Sequence, residues 1–417
     1  MFRLSHYMNM LVRDAWPEVA ADGAGRHVRP SGPVVIWNLI RRCNLLCKHC
    51  YAISGNVDFP GELTFGQVCA VMDDLKQYGV PALILSGGEP LLRPDIFDIA
   101  SRAKAMGFFT ALSTNGVLIT EPVIPMLKEV GFDYIGISLD GIGAVHDAFR
   151  GMDGAYEKSL HALRLCRDAG LPVGLRFTMT RDNAHQFEAM IRLVREEDIP
   201  RFYFSHLVYA GRGNKNRMDD ADIQLTRRSM ERLIAWAEEE AKAGSGRQIV
   251  TGNNDADGVF LLLWARRHYP ERAERLEAAL RRWGGNASGV MVANIDNVGD
   301  VHPDTMWWHH TLGNVKERPF SEIWEDTSDA LLAGLKQRPR PVKGRCAACR
   351  HLAICNGNTR VRAQQLTGDA WAEDPACYLS DAEIGVDGMA RQVKLTPFRG
   401  RRGQRGQHGK AASGVAG

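Results

Sequence analysis

The stretch at residues 34–51, VVIWNLIRRCNLLCKHCY, joins an apolar, strand-like run to three closely spaced cysteines. Cys43, Cys47 and Cys50 follow the spacing C-x3-C-x2-C. At i, i+4 and i+7 the three side chains could share one face of a helix, as a buried apolar stripe. They lie directly after a strand, however, beside Arg, Lys and His residues, and nearby cations favour thiolates. This position predicts a metal-binding loop.

From this strand the sequence alternates between strand-like and helix-like segments, up to about residue 207. Thr64 and Gly107 are capping signals for two of the helices. Because six strands separated by five helices imply right-handed βαβ units, and a closed barrel needs eight, we predict a partial (β/α)6 barrel. Its ligands should collect at the C-terminal ends of the strands. The predicted strands are 34–40, 82–87, 109–114, 134–139, 173–179 and 201–207, and the helices are 64–78, 93–106, 121–130, 154–169 and 185–197.

Beyond the predicted barrel the pattern changes to charge-laced helical segments and then to a mixed region. The run VMVANIDNVGDVH predicts a hairpin that turns around residues 297–299. The fold class is therefore α/β, a partial barrel with a smaller C-terminal α+β domain. The predicted parts are an N-terminal extension (1–33), the barrel (34–210), a helical connector (211–285), the α+β domain (286–394) and a disordered, basic, Gly-rich tail (395–417).

The composition excludes several classes of protein. Of 417 residues, 45% are hydrophobic and 24% charged, as in a soluble globular protein. No apolar run is long enough to span a membrane, and the N-terminus lacks a signal-peptide pattern. We therefore predict a cytoplasmic protein, whose cysteines stay reduced. The net charge of +3 is concentrated in residues 398–417, which hold four Arg, one Lys and no acid, so we expect neither nucleic acid nor membrane as a partner.

The identity of the metal depends on the fourth ligand. Structural zinc needs four protein ligands, and His49 cannot easily complete a tetrahedron with both Cys47 and Cys50. A [4Fe–4S] cluster held by three cysteines instead keeps one iron open. The spacing C-x3-C-x2-C followed by an aromatic residue, here Tyr51, resembles the signature of the radical SAM superfamily. The resemblance favours an iron–sulfur cluster over zinc and over a buried stripe.

Further motifs that resemble this superfamily follow successive strands. Gly87 and Gly88 let the backbone approach a ligand closely. The resemblance implies that Glu89 binds the methionyl amine of S-adenosyl-L-methionine (SAM), and that Ser138 and Arg150 contact its ribose and carboxylate. Asp140 could instead cap a turn. The predicted SAM-binding residues are Tyr51, Gly87, Gly88, Glu89 and Pro90 (LSGGEP), Thr114 and Asn115 (STNG), Ser138 and Asp140 (ISLDG), and Arg150 (HDAFRG).

The chemistry implied by the resemblance comes from cofactors rather than from protein side chains. The open iron binds SAM, one electron from the cluster splits the sulfur–C5′ bond, and the 5′-deoxyadenosyl radical abstracts hydrogen from the substrate. No side chain is expected to be catalytic by itself. A low-potential electron donor, such as flavodoxin or ferredoxin, is an expected partner.

A second cysteine group, with spacing C-x2-C-x5-C-x21-C, comprises Cys346, Cys349, Cys355 and Cys377. Spacing alone favours structural zinc. The pattern resembles the SPASM/twitch extension of radical SAM enzymes, which implies an auxiliary [4Fe–4S] cluster. A full SPASM domain holds two such clusters, but Asp304 and Thr359 stand where ligand cysteines are expected. We therefore predict one auxiliary cluster, fully ligated by protein, and two [4Fe–4S] clusters in all.

The substrate is implied by resemblance over most of residues 1–390 to the NirJ-type family of heme d1 biosynthesis. This family acts on 12,18-didecarboxysiroheme, and the implied step is hydrogen abstraction from propionate side chains, two of which are lost. Cations at the rim would suit such an acidic iron tetrapyrrole. The predicted substrate contacts are Arg41, Arg42, Arg212 and Lys215, with Lys48 beside them and His309 as a candidate axial ligand.

Other functions remain open. One is a radical SAM decarboxylase of the alternative haem route. Another is a SPASM-type peptide maturase, although only about 33 residues precede the first strand, which we expect to be too few for a peptide-binding domain. A non-catalytic electron carrier would not need the motifs GGEP and STNG around an open iron.

Overall fold

The computed structural model describes residues 1–16, 32–386 and 388. Its strands form a single ten-stranded sheet in the order β10-β9-β8-β1-β2-β3-β4-β5-β6-β7. The predicted tail, 395–417, lies outside the described residues. The strands are β1 Val34–Asn38, β2 Ala82–Ser86, β3 Phe109–Thr114, β4 Tyr134–Ser138, β5 Val173–Met179, β6 Arg201–His206, β7 Gln248–Gly252, β8 Val292–Ile295, β9 Asp300–His302 and β10 Gly313–Asn314.

Helices connect the strands of the barrel and cover one face of the sheet. Thr64 caps α2 as predicted, since its hydroxyl accepts a hydrogen bond from the backbone of Gln67. The helices are α1 Leu4–Arg13, α2 Phe65–Gln77, α3 Ile96–Ala105, α4 Ile124–Val130, α5 Ala144–Arg150, α6 Ala155–Asp168, α7 Phe187–Glu196, α8 Gly211–Lys215, α9 Ile223–Ala243, α10 Ala256–His268, α11 Ala273–Trp283, α12 Phe320–Glu325, α13 Ala330–Lys336, α14 Gly344–Ala348, α15 Leu352–Cys355, α16 Arg360–Thr367 and α17 Asp381–Ile384.

The predicted α/β core is confirmed: β1 to β6 lie side by side in chain order, and each pairs in parallel with the next. In β5, Leu175 and Phe177 belong to the core that the helices cover. Their neighbours Arg176 and Thr178 are partly exposed on the other side of the strand. We call this second side the inner face. Because all six strands are parallel, their C-terminal ends form one rim, and the cysteine loop starts there.

The sheet extends past the six predicted strands at both edges. Residues 211–285, which we expected to be helical, also contain β7, and β7 pairs in parallel with β6. The predicted hairpin is present as β8 and β9, and β8 adds in parallel beside β1. The C-terminal region therefore continues the barrel sheet. Sequence missed β7 because a five-residue run between two long helices is weakly periodic.

Among the described residues, the N-terminal segment packs onto this added edge through α1. Phe2 bridges to Thr251 in β7, with backbone hydrogen bonds of 2.7 and 2.8 Å in the two directions. The described part of the chain has no helix that is both long and apolar enough to cross a membrane.

Candidate active site and second cysteine cluster

The cysteine loop that follows β1 is irregular, so the hypothesis of a helical apolar stripe is wrong. Its backbone is held by neighbours: Cys43 N–H donates to the carbonyl of Gly55 at 2.9 Å, and Leu46 N–H donates to that of Arg150 at 3.0 Å. The side chains of Cys43 and Cys47 are buried, and that of Cys50 is partly buried. The three thiols therefore lie at the carboxyl end of the sheet, on a loop that neighbouring segments hold in place.

The thiols have the surroundings expected of cluster ligands. Leu45 N–H donates to Sγ of Cys43 at 3.4 Å, and a guanidinium nitrogen of Arg150 donates to Sγ of Cys47 at 3.5 Å. Burial raises the pKa of Cys43 to about 12 and also raises that of Cys47. Such thiols stay protonated at neutral pH without a metal, and metal binding to the thiolates releases their protons to solvent. Hydrogen bonds to sulfur are also a means of tuning an iron–sulfur cluster.

The role of Arg212 differs from the predicted substrate contact. From α8 its guanidinium donates to the carbonyls of Cys47 and Ser54, both at 2.7 Å, and its backbone N–H donates to the carbonyl of Cys50 at 2.8 Å. These bonds tie both ends of the C-x2-C segment to α8. The geometry of Arg212 supports a structural role, because its side chain is directed at the backbone of the cysteine loop.

The GGEP turn after β2 locks against the start of the cysteine loop. Gly88 N–H donates to the carbonyl of Ile40 at 2.6 Å, and Glu89 N–H donates to that of Arg42 at 2.9 Å. A Cβ at Gly88 would overlap the carbonyl oxygens of Arg41 and Arg42. Glycine is thus required for a contact between two backbones, and not only for the approach of a ligand.

We expect Gly88→Ala to destabilise the protein by about 1–3 kcal/mol, because backbone atoms cannot shift as side chains do. Urea unfolding and iron content after reconstitution would measure the effect. Gly66→Ala is the matched control, since a Cβ there meets no atom within 4 Å and the site is helical. Equal unfolding midpoints for the two variants would contradict the close contact.

Glu89 is fully buried at the centre of the rim. Its carboxylate accepts hydrogen bonds from the Thr114 hydroxyl at 2.7 Å, the Asn115 backbone at 2.8 Å and the Leu91 backbone at 3.1 Å. Burial raises the pKa of Glu89 to about 7, against the lowering effect of these donors. The GGEP and STNG motifs therefore meet at one carboxyl group, which ionises near neutral pH.

Asn44 connects the cysteine loop to the same group of residues. Its side-chain oxygen accepts a hydrogen bond of 2.8 Å from the amide of Asn115. Asn44 was assigned no role from the sequence. Its position inside the C-x3-C segment was the available signal.

Arg150 and Asp140 form a buried ion pair at the rim, with a nitrogen–oxygen distance of 2.5 Å. Although burial alone would raise it, the pKa of Asp140 is held below its ordinary value by Arg150. Asp140 also accepts from the backbone of Thr178 at 2.6 Å, so it does more than cap a turn. Ser138 is the last residue of β4 and is partly exposed on the inner face. Arg150 is therefore already balanced by a carboxylate.

Most of the remaining predicted contacts have partners within the protein. Arg41 donates to the carbonyl of Ala52 and stacks over Phe59 at 4.6 Å, and Arg42 pairs with Asp58 at 3.2 Å. The structure places the other predicted residues as follows: Tyr51 accepts from Asn38 at 2.8 Å and packs 5.9 Å from Trp308, Lys48 pairs with Asp182 at 3.1 Å, His309 is exposed and 2.7 Å from the Gln364 oxygen, Lys215 is exposed, and Pro90 begins a short 3-10 turn.

The second cysteine group surrounds a cavity. Cys346, Cys349, Cys355 and Cys377 all line it, and its empty volume is about 390 Å³, part of which is open solvent. Burial raises the pKa of Cys355 well above its ordinary value, and the other three thiols raise it further, as expected when four thiols lie close together. Within the described ranges, no three Cys, His, Asp or Glu side chains are placed to hold a single metal ion.

Asp304 and Thr359 have structural partners. Asp304 caps a short turn, where it accepts from the backbone of Met306 at 2.7 Å, and it also accepts from the hydroxyl of Ser288. Thr359 donates its hydroxyl to the carbonyl of Asn253 at 3.1 Å. The two side chains that stand in place of the expected ligand cysteines therefore form hydrogen bonds within the protein.

The sheet and the rim residues define a class of protein, the radical SAM domain. The family model described as the radical SAM superfamily matches residues 37–194. The crystal structure of Streptococcus suis SuiB bound to S-adenosylmethionine superposes with a TM-score of 0.66 over 84% of this chain and 78% of that chain, at 18% identity. At that identity the likeness shows the fold alone.

Two curated relatives are similar over nearly the whole chain. Pre-heme d1 synthase of Dinoroseobacter shibae is 55% identical over 404 residues, which are 96% of this chain and 98% of the relative. Fe-coproporphyrin III synthase of Methanosarcina barkeri is 44% identical over 85% of this chain and 89% of the relative. The chain therefore belongs to the radical SAM superfamily and, within it, to the heme-synthesis enzymes. Membership implies a [4Fe–4S] cluster and SAM as cofactors.

Proposed function

We propose that this enzyme acts on 12,18-didecarboxysiroheme and removes two of its propionate side chains during heme d1 synthesis. The observation that carries the proposal is the 55% identity to pre-heme d1 synthase over 96% of the chain. Cations in the segments that follow β1 and β6 support it, because an acidic tetrapyrrole suits them: Arg41, Arg42, whose partner Asp58 is itself exposed, and Lys215. Lys215 is exposed there.

In this proposal, Cys43, Cys47 and Cys50 hold the cluster whose open iron takes SAM. The bound cofactors supply the radical that removes hydrogen from the substrate. The protein holds the ligands in place, through the bonds of Arg212 to the loop, and surrounds the thiols with buried side chains. Glu89 accepts the amine of SAM at the remaining lone pairs of its carboxylate.

The affinity for SAM should increase as the pH rises through about 7. Below that pH Glu89 keeps its proton, and above it the carboxylate accepts the amine. We expect up to about a tenfold change per pH unit on the acidic side, which a Glu89→Gln variant would lack. The raised pKa of Glu89 also means that the stability of the SAM-free protein falls as the pH rises from 4.5 to about 7. Calorimetric titrations with SAM at pH 6, 7 and 8 would test the predicted change in affinity. Equal slopes of affinity against pH for wild type and Glu89→Gln would contradict it.

Cys346, Cys349, Cys355 and Cys377 hold the auxiliary cluster in this proposal. The cavity that they line supports it, as does the mutual effect of their thiols. With four protein ligands this cluster has no open iron, so its role is electron transfer or structure. Flavodoxin or ferredoxin is the proposed source of electrons.

The test is an anaerobic assay of the reconstituted enzyme with SAM, a low-potential reductant and one substrate at a time. The substrates are 12,18-didecarboxysiroheme, Fe-coproporphyrin III and a precursor peptide. We expect 5′-deoxyadenosine in the first reaction, together with a tetrapyrrole whose mass shows the loss of two propionates. Turnover of Fe-coproporphyrin III alone would favour the alternative haem route, and turnover of the peptide alone would favour a maturase.

A further inference from the structure

The inner face of the sheet carries an arginine, Arg176, that pairs with no carboxylate of the described residues. Arg176 lies on β5 between Leu175 and Phe177, which are buried against the helices, so its side chain is directed to the inner face. Its Nη1 donates a hydrogen bond to the Ser113 hydroxyl, the guanidinium lies over the ring of Tyr203, and it forms no ion pair with a carboxylate of the described residues. Neither group neutralises the guanidinium, and a charge left in a partly buried place is costly without a partner.

Several small residues make room for this side chain. To reach Ser113 on β3, Arg176 crosses β4 at Gly136, where a Cβ would lie 2.8 Å from its Cδ. On the other side, the guanidinium carbon lies 5.1 Å from the ring centroid of Tyr203. A Cβ at Gly252 would overlap the hydroxyl of Tyr203, so this ring also depends on a glycine. The guanidinium is thus held in one position on the inner face.

The guanidinium lies below the rim. Arg176 pairs with Ser138 in the sheet, whereas Ser113 pairs with Gly136, two residues before Ser138. At about 3.3 Å per residue, the nitrogen bonded to Ser113 lies roughly 7 Å deeper than the end of β4. Arg150, the cation at the rim itself, is already paired with Asp140 at 2.5 Å. Among the described residues, no carboxylate therefore balances the charge of Arg176 on this part of the inner face.

We propose that Arg176 binds a carboxylate of the substrate, so that one propionate side chain reaches down from the rim onto the inner face. This inference rests on the proposed function, because a tetrapyrrole supplies such carboxylates. A carboxylate–guanidinium pair would hold the two methylene carbons of the propionate just below the SAM-binding residues. SAM also has a carboxylate, so titrating both SAM and the tetrapyrrole against Arg176 variants distinguishes the two ligands. Arg176 is thus a substrate-binding and positioning residue.

The test compares Arg176→Gln with Arg201→Gln in reconstituted holoenzyme. Arg201 is a matched control because it begins β6, at the opposite end of the sheet, where it stacks over Tyr134 at 4.4 Å and bonds Gln248 at 2.7 Å. The probes are 12,18-didecarboxysiroheme, its fully methyl-esterified form, and SAM, each titrated anaerobically. We expect Arg176→Gln to weaken binding of the free-acid tetrapyrrole about 10- to 100-fold, the range for a charge-assisted hydrogen bond. Arg176→Lys should recover part of this loss.

The ester and SAM should bind wild type and Arg176→Gln alike, and Arg201→Gln should bind all three as wild type does. Weaker SAM binding with unchanged tetrapyrrole binding would assign Arg176 to the cofactor and overturn the inference. Equal losses for acid and ester would show a general disturbance of the sheet, which also overturns it. If wild type itself binds neither form, the proposed function fails and this inference fails with it, a result distinct from a variant that binds normally.

Discussion

Replacing Cys43, Cys47 and Cys50 together with Ala is expected to reduce SAM cleavage to background. The three thiols follow β1 on a loop held by Gly55, Arg150 and Arg212. Without them the proposed cluster would lose its protein ligands, and no other described cysteine belongs to this site. Since a [4Fe–4S] cluster contains four irons, iron and sulfide should fall from about eight to about four of each per chain. In the proposed arrangement, the remaining four would belong to the auxiliary cluster.

Cys69→Ala is the matched control, because Cys69 lies on α2 and away from both cysteine groups. It should retain full iron content and SAM cleavage. The variants are compared by counting iron and sulfide after anaerobic reconstitution and by measuring 5′-deoxyadenosine. SAM cleavage by the triple variant at a rate near wild type would contradict the assignment.

Arg362→Ala should cause the largest loss of stability, about 3–5 kcal/mol, because it leaves Asp374 as an unpaired buried charge. Both side chains are 0% exposed, and two hydrogen bonds of 3.0 and 2.8 Å join them. Arg362 also donates to the carbonyls of Leu207, after β6, and Asn253, after β7, at 3.3 and 2.6 Å. One guanidinium thus ties α16 and the segment leading to Cys377 to the rim of the sheet.

The Lys343–Asp369 pair provides the control in the same region. Its nitrogen–oxygen distance is 2.6 Å, but its side chains are 63% and 35% exposed, so Lys343→Ala should cost less than about 1 kcal/mol. Urea unfolding under anaerobic conditions measures both. An Arg362→Met, Asp374→Leu double variant should recover much of the loss, because it removes both charges. Similar losses for Arg362→Ala and Lys343→Ala would refute the role of the buried pair.

The sequence predicted those parts of the fold that depend on local periodicity. The apolar runs at 109–114 and 173–179 became β3 and β5 with unchanged limits. Helix boundaries set by helix-breaking residues were less visible. Within the predicted helical connector, 211–285, α10 and α11 are separate helices that are divided around Pro270. The addition of β7 and β8 to the two edges of the barrel depends on pairing over long sequence distances, which local patterns do not encode.

In the candidate site, too, local patterns were predictable from sequence and long-range contacts were not. Strand ends identified Glu89 and Asn115 as rim residues, because parallel strands bring their carboxyl ends together. The pairing of Arg150 with Asp140, and the contact of Arg212 with the cysteine loop, connect residues far apart in sequence. A cation in a motif does not reveal which partner it has in the folded protein, so both arginines were assigned to ligands.

The central claim is that one iron, held by three thiolates after β1, is open to SAM. Electron paramagnetic resonance of the reduced, reconstituted enzyme tests it directly. Adding SAM should change the signal of one cluster, and the Cys43/Cys47/Cys50→Ala variant should keep a single signal that SAM leaves unaltered. Protein that contains zinc and no iron, or wild-type signals that SAM does not change, would contradict the claim.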